Sequence, residues 1–331
     1  MAFANEKIGW GHLLRCSILA EELRSRWNAE IFFISNVSEH DIPKDMEVKG
    51  CLYPPKPQII KGILSQIIPN FIFYDYLELD ESFLNSSKYA ASKTIVFDYY
   101  KAGANLRSAD FVFNFHIDNK MTNEVHGRFF QGMQYAILSN DFYVQSTPSS
   151  QTDEGFKDVK ILVTFGQTDP HGLAEKFLNS FLKIQDELKM PVEIQVVLGK
   201  NPLAKEIIEK FGKLRTVNFL NEVENMATLM KSCDLTVVSG GVTLYEAAQL
   251  NRPSLVLCAH AYAFELASQM NSKGLVVNLG MHNDHTTESL SKSLLESIKI
   301  DRIRAMRKNL LNVSVCGRFL IPEILENRRK S

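Results

Sequence analysis

Short apolar runs rich in β-branched and aromatic residues alternate along this chain with longer segments of helical period. That pattern restricts the fold to a mainly parallel sheet covered by helices. In the first half the strand-like runs are residues 30–35, 70–75, 94–98 and 111–115, separated by helical segments at 13–26, 57–68 and 81–91. Residues 146–158 are polar and broken by Pro and Gly, which marks a linker. The alternation then restarts, with strands expected at 160–165, 192–198, 216–220, 234–239 and 254–258 and helices at 173–188, 202–211, 224–231 and 243–250. Two α/β, doubly wound, Rossmann-like domains follow, the first over residues 1–145 and the second over 159–331. At roughly 150 residues per domain, the 331-residue chain has room for two cores. Open α/β sheets bind ligands outside the carboxyl ends of their strands, so with two such domains facing one another the site is expected in the cleft between them.

Composition narrows the function. The chain carries 37 Lys and Arg against 38 Asp and Glu, a net charge of −1, whereas a nucleic-acid binder needs a surplus of cations to neutralise phosphates. Its five cysteines, at 16, 51, 233, 258 and 316, are odd in number and widely spaced, which argues against a disulfide framework or a structural zinc site. No window approaches the ~18 apolar residues of a membrane span, and residues 1–10 lack a signal-peptide core. The expectation is a cytoplasmic protein without a membrane span.

Four loops sit where a strand end meets a helix start. In the first, Gly9-Trp10-Gly11-His12, two glycines permit a tight turn and His12 opens a helix that also carries Arg15. Unpaired N–H groups and the dipole at a helix amino terminus suit an anion and disfavour a charged imidazole, so His12 has the character of a general base. A plain turn and helix cap also fits these residues. The second loop, Gly166-Gln167-Thr168-Asp169-Pro170, reads as a cap by Thr168 or Asp169 with Pro170 in the first turn. In the third, Ser239-Gly240-Gly241-Val242-Thr243 leads to Glu246. Here a bare backbone can approach a pyrophosphate and a carboxylate one turn on can take both ribose hydroxyls. The alternative is a capping box between Thr243 and Glu246. The fourth, residues 259–265, holds His260, which reads as a surface or cap residue. Asp75-Tyr76 and Asp98 close strands of the first half, as aspartates in turns also do. The other histidines, at 40, 116, 126, 171, 282 and 285, form no metal-ligand spacing.

Taken in order, these loops resemble the nucleotide-sugar hydrolases of pseudaminic acid biosynthesis and the related spore-coat polysaccharide proteins. The matching stretches are residues 8–20, 132–138 with Phe142, 164–170, and 239–246 running to Pro253. The resemblance implies a GT-B-like fold similar to that of the enzyme adding N-acetylglucosamine in peptidoglycan synthesis, but with transfer to water. It implies cleavage of UDP-2,4-diacetamido-2,4,6-trideoxy-β-L-altropyranose to UDP and free sugar with anomeric inversion, without cofactor or obligatory metal. His12 would be the base that activates water. Ser239, Gly240, Gly241, Val242 and Thr243 would line the diphosphate pocket and Glu246 would hold the ribose, while Gly9, Gly11, Arg15, Asp75, Tyr76, Asp98, Gly166, Gln167 and Thr168 would complete the substrate contacts. Some relatives are fused to a cytidylyltransferase, so a fusion or association with one is an expected partner.

The chain departs from the family at Gly166-Gln167 (usually Gly-Gly), Asp75-Tyr76-Leu77 (Asp-His-Tyr), Asp98-Tyr99 (Asp-Asp) and Tyr262-Ala263 (Asn-Gln or Gln-Gln). A first strand normally precedes the Gly-x-Gly-His turn, and residues 1–7 leave room only for an abbreviated one unless the chain is cut from a longer protein. Two other functions fit the same loops. One is a GT-B glycosyltransferase whose acceptor docks on an apolar patch such as residues 58–73, although a helix followed by a buried strand also accounts for that segment. The other is a non-catalytic nucleotide-sugar binding partner.

Overall fold

The computed structural model describes residues 1–3, 10–38, 40, 42, 46–75, 79–89, 92–97, 106–117, 128–144 and 158–329. It divides into two compact units, Met1–Ser139 with Val315–Ser331, and Asn140–Ser314.

In the first unit the elements run α1 (Gly11–Trp27), β1 (Phe32–Ser35), β2 (Glu47–Gly50), α2 (Pro57–Ile67), β3 (Phe71–Tyr74), α3 (Glu81–Ser87), β4 (Lys93–Phe97), β5 (Phe111–Asn114) and β6 (Arg128–Gln131). Strands β1 and β2 form one parallel pair and β3-β4-β5-β6 one parallel sheet. Residues 1–3 stitch the two together: Ala2 N donates to Ile34 O at 3.3 Å, Asp75 N donates to Met1 O at 3.0 Å, and Ala2 bridges Asp75 in parallel. Residues 1–3 thus occupy the place of a first strand with a single bridge at Ala2, and Ala2 and Phe3 are fully buried. Counting it as strand one, the order is the 3-2-1-4-5-6 of a doubly wound sheet plus one strand. Phenylalanines of neighbouring strands stack, with ring centroids 5.7 Å apart for Phe73–Phe97 and 4.9 Å for the register pair Phe113–Phe130.

The second unit contains β7 (Val159–Thr164), α4 (Leu173–Leu182), β8 (Val192–Val197), α5 (Ala204–Phe211), β9 (Val217–Leu220), α6 (Met226–Lys231), β10 (Leu235–Val238), α7 (Val242–Gln249), β11 (Ser254–Cys258), α8 (Ala261–Ser272), β12 (Val276–Met281), α9 (Thr287–Ser297) and α10 (Ile300–Leu310). Its six parallel strands are ordered β12-β11-β10-β7-β8-β9, again the doubly wound order. Strands β7, β10 and β11 are buried almost throughout, which is why they read as continuous apolar runs.

Four features differ from the expected organisation. The helices expected at 81–91 and 173–188 are shorter, ending at Ser87 and Leu182. Strand β2 was not expected: its sequence, Glu-Val-Lys-Gly, is half exposed and lacks an apolar signature. The second unit begins at Asn140 rather than 159, and Lys231 Nζ donates to Val144 O at 2.9 Å. The intervening residues of the expected linker, 146–157, lie outside the described residues. Finally, the tail assigned from sequence to the second domain belongs to the first. Helix α11 (Gly317–Arg329) packs on α1, where Arg318 Nε lies 2.9 Å from Glu22 Oε2.

Gly317 explains the tightness of this return. A Cβ there would fall 2.0 Å from the backbone oxygen of Tyr135, and the Gly317 N–H already donates to Ala136 O at 3.1 Å. Overpacking of this kind is destabilising by about 1–3 kcal/mol or more. Gly317→Ala is thus expected to lower the unfolding free energy of the first unit by about 1–3 kcal/mol while leaving the second unit's transition in place, as read by urea denaturation.

Candidate functional site

In both sheets the first and fourth strands are neighbours, and at their carboxyl ends the connections leave toward opposite faces. This is the switch point where doubly wound sheets hold ligands. In the first unit that point is occupied by Asp75, directly after β3, beside the first turn of α1.

Asp75 is completely buried, and both of its oxygens are engaged. Arg15 approaches it in bidentate fashion, Nε to Oδ2 at 2.6 Å and Nη2 to Oδ1 at 2.5 Å. His12 Nδ1 lies 2.6 Å from Oδ1, and Cys16 Sγ donates to Oδ2 at 3.4 Å. His12, Arg15 and Cys16 fall on one face of α1 by their spacing of three and four residues. The Arg15 guanidinium, itself buried, lies over the Phe115 ring at 5.2 Å. Arg15 Nη2 is also 3.0 Å from His12 Nδ1. A guanidinium only donates, and with Nδ1–H given to Asp75 the two donors share one carboxylate oxygen. This tautomer leaves His12 Nε2 as the acceptor, on a side chain 13% exposed.

Burial alone would push the Asp75 carboxyl up, but the charge of Arg15, then that of His12, and their hydrogen bonds outweigh it and hold it well below the usual carboxylate range. Burial and the neighbouring Asp75 push the Cys16 thiol up, so it stays protonated. Arg15 Nε and Nη2 and both Asp75 oxygens are thus engaged with one another and with His12, an arrangement that fixes the orientation of the imidazole. Gly11 lies in the first turn of α1, whereas Gly9, Tyr76 and Asp98 fall outside the described residues.

In the second unit the switch point lies between β7 and β10, which are hydrogen-bonded neighbours. Gly166, Gln167 and Thr168 leave β7 with Gly166 at φ 84°, and Lys200 N donates to Gln167 O at 2.7 Å, pinning that turn to the exit of β8. The cap on α4 is Asp169, whose carboxylate accepts from Leu173 N at 2.8 Å and Ala174 N at 2.9 Å, so Pro170 stands outside the helix rather than in its first turn. At the end of β10, Gly240 and Gly241 take φ of 101° and 71°, conformations side chains disfavour. A Cβ on Gly240 would fall 2.6 Å from Ala263 Cβ, so this turn needs glycine to pass α8.

The capping-box alternative is not what forms. The N-cap of α7 is Gly241, with no side-chain cap among the described residues, which leaves the first N–H groups of the helix open to an anion. Ser239, Val242 and Thr243 are partly exposed around this turn. The half-buried Glu246 carboxylate has no hydrogen-bond or ionic partner among the described residues, and burial raises its pKa from 4.5 to about 7.

Sequence reasoning missed one feature here. His171, after β7, lies 5.1 Å from His260, after β11, and 4.6 Å from His282, after β12, measured between ring centroids. The signal was available as three histidines following three strands of one parallel sheet, but β12 was not read as a strand. Among the described residues no group of His, Cys, Asp or Glu converges as a metal-ligand set, and no helix is long and apolar enough to cross a membrane. All five cysteines are free thiols. A cavity of about 370 Å³ between α1, β1 and β3, lined by Leu19, Leu23, Trp27, Phe33 and Phe73, includes neither His12 nor Asp75.

No family model matches the chain. It is 28% identical over 260 residues to the uncharacterized protein MJ1062 of Methanocaldococcus jannaschii, covering 76% of this chain and 53% of that protein. It is 27% identical over 280 residues to the spore coat polysaccharide biosynthesis protein SpsG of Bacillus subtilis, covering 82% and 80%. The chain thus spans about half the length of the archaeal relative. Among solved structures, MurG of Acinetobacter baumannii matches with a TM-score of 0.73 at 12% identity over 98% of both chains. The UDP-GlcNAc 2-epimerase of Neisseria meningitidis bound to UDP-GlcNAc matches at 0.66 and 15% over 98% of both. The spinosyn rhamnosyltransferase SpnG matches at 0.63 and 12% over 98% of this chain and all of the other. These likenesses define the fold as GT-B-like, in agreement with the two doubly wound units.

Two outcomes follow from the electrostatics. Asp75→Asn leaves the buried Arg15 guanidinium without its counter-charge and is expected to destabilise the first unit by about 3–5 kcal/mol. Because the folded carboxyl titrates below its ordinary value of 3.8, the wild-type stabilisation is present above that pH and lost only as pH falls further, which acid titration of unfolding free energy will trace. Glu246 has the opposite sign: its folded value is raised, so its carboxylate costs stability as pH rises from 4.5 through about 7. Glu246→Gln is expected to stabilise the ligand-free second unit at pH 8 by about 1–3 kcal/mol and to have little effect at pH 4, by thermal unfolding.

Proposed function

We propose that the chain is a nucleotide-sugar hydrolase of a surface-polysaccharide pathway, cleaving the anomeric C–O bond of a UDP-linked diacetamido-trideoxy sugar to give UDP and the free sugar with inversion. The observation that carries this reading is the oriented imidazole. His12 is held by a buried carboxylate through Nδ1, which leaves Nε2 to take a proton from water. The likeness to a spore coat polysaccharide biosynthesis protein and to structures of enzymes that bind UDP or UDP-GlcNAc supports the substrate class.

In the proposed reaction, water loses a proton to His12 Nε2 as its oxygen bonds to the anomeric carbon on the face opposite the nucleotide. The carbon–oxygen bond to the diphosphate breaks and its electron pair leaves with UDP. The open N–H groups of α7 meet the charge that develops on the departing diphosphate. Glu246 accepts from the ribose hydroxyls, which supply the donors that its half-buried carboxylate lacks. Arg15 acts through Asp75, keeping that carboxylate ionised and fixed so that His12 retains one tautomer and one orientation. A cytidylyltransferase acting later in the same pathway is the proposed partner.

A second reading, transfer of the sugar to an acceptor, is favoured by the likeness to MurG and the rhamnosyltransferase and by Ile59 and Ile68, apolar and exposed at 49% and 62% on and after α2. Within the same stretch Ile60, Leu64 and Ile72 are buried and seat α2 and β3 on the core. Incubation with a panel of UDP-sugars without acceptor separates the two. The hydrolase releases UDP from the diacetamido-trideoxy donor, and His12→Ala lowers that turnover by about 10²–10⁴-fold. Full turnover by the variant would remove His12 from the mechanism, release only on adding an acceptor would establish transfer, and binding of every donor without turnover would make the chain a binding partner.

A further inference from the structure

The histidine cluster of the second unit is not used by the mechanism above. In the sheet order β12-β11-β10-β7, the strands that precede His260 and His282 lie on one side of β10 and the strand that precedes His171 lies on the other. Yet the three rings meet, 5.1 Å and 4.6 Å between centroids, so their loops arch over the carboxyl end of β10, where the Ser239-Gly240-Gly241 turn begins. The closeness of Gly240 to Ala263 ties the same turn to α8, whose N-cap is His260. Among the described residues the ring nitrogens of His171, His260 and His282 have no hydrogen-bond partner, and no side chain caps α8.

We propose that His171, His260 and His282 form the diphosphate-facing wall of this site and take up protons as a nucleotide-sugar binds, so that the site grips its ligand more tightly at lower pH. The inference rests on the reading of the second unit as the nucleotide-binding one. Its physical basis is an excess of basic groups over carboxylates. The carboxylate of the β7–α4 loop, Asp169, attracts His171 but is also bonded to the backbone of α4. On α4, Lys176 adds a positive charge beside His282, whose carbonyl it bonds, and among the described residues Asp284, in the turn after β12, opposes it. Burial, then the neighbouring His171, lowers the pKa of His260, and burial followed by His171, Lys176 and His260 lowers that of His282. Rings so close together resist a second proton until an anion lies among them, and a diphosphate supplies the missing charge.

The probe is UDP-N-acetylglucosamine, whose diphosphate, esterified at both ends, keeps its charge across the range, titrated calorimetrically into the full chain. Binding at pH 8 tests the nucleotide reading by itself, and its absence at every pH would overturn both. The expected result is an affinity that rises roughly five- to tenfold from pH 8 to pH 6. It should be accompanied by uptake of about one proton at pH 7, from heats in buffers of different ionisation enthalpy. The H171N/H260N/H282N variant is expected to bind at pH 8 with that uptake lost. Glu246 is present in both proteins, so the difference between them belongs to the imidazoles. Wild-type binding without proton uptake, uptake unchanged in the variant, or a stoichiometric zinc ion held by the three rings with no change in nucleotide affinity on its removal would overturn the inference while leaving the nucleotide reading intact.

Discussion

A carboxylate with no exposure to water must find all of its compensation inside the protein, and Asp75 finds it in Arg15, His12 and Cys16 of a single helix face. The arrangement binds α1 to the end of β3 and, through the Ala2 bridge, to residues 1–3 that join the two parts of the first unit's sheet. Such a buried pair contributes little net stability, since desolvation offsets most of the attraction, but removing either partner is costly. Its value lies in specification: the guanidinium fixes the carboxylate and the carboxylate fixes the imidazole.

The two units repeat one topology and differ in what they place at the switch point. The first places an imidazole held by an ion pair. The second places backbone, with two glycines at positive φ, an eight-residue helix without a side-chain cap and a glutamate that has no partner among the described residues. A side-chain base and a bare anion cradle are complementary requirements of nucleotide-sugar cleavage, because the leaving group needs N–H donors and the nucleophile needs a proton acceptor. In the proposed reaction Glu246, which has no partner among the described residues, would accept from the hydroxyls that a ribose carries.

Much of this was legible in the sequence wherever a residue's role follows from its neighbours along the chain. Buried parallel strands such as β7 and β11 are apolar on both faces and announce themselves, and the glycine turns at 166 and 240–241 mark where the backbone must bend. Strand β2 was illegible because an exposed edge strand of Glu, Val, Lys and Gly needs no apolar pattern. The buried state of Asp75 was hidden for another reason: an aspartate at a strand end reads as a turn or a ligand contact until Arg15, sixty residues earlier, is seen to meet it. The return of α11 to α1 and the meeting of His171, His260 and His282 are likewise products of topology, which brings together residues that no local spacing relates.

The central claim is that His12, poised by Asp75, directs water onto the anomeric carbon rather than onto phosphorus. Hydrolysis of the diacetamido-trideoxy UDP-sugar in ¹⁸O-labelled water, followed by mass spectrometry of both products and by proton NMR of the first sugar anomer formed, tests it directly. The label is predicted in the free sugar, which should appear first as the inverted anomer with unlabelled UDP. Label in UDP, or a first-formed sugar of retained configuration, would contradict the account.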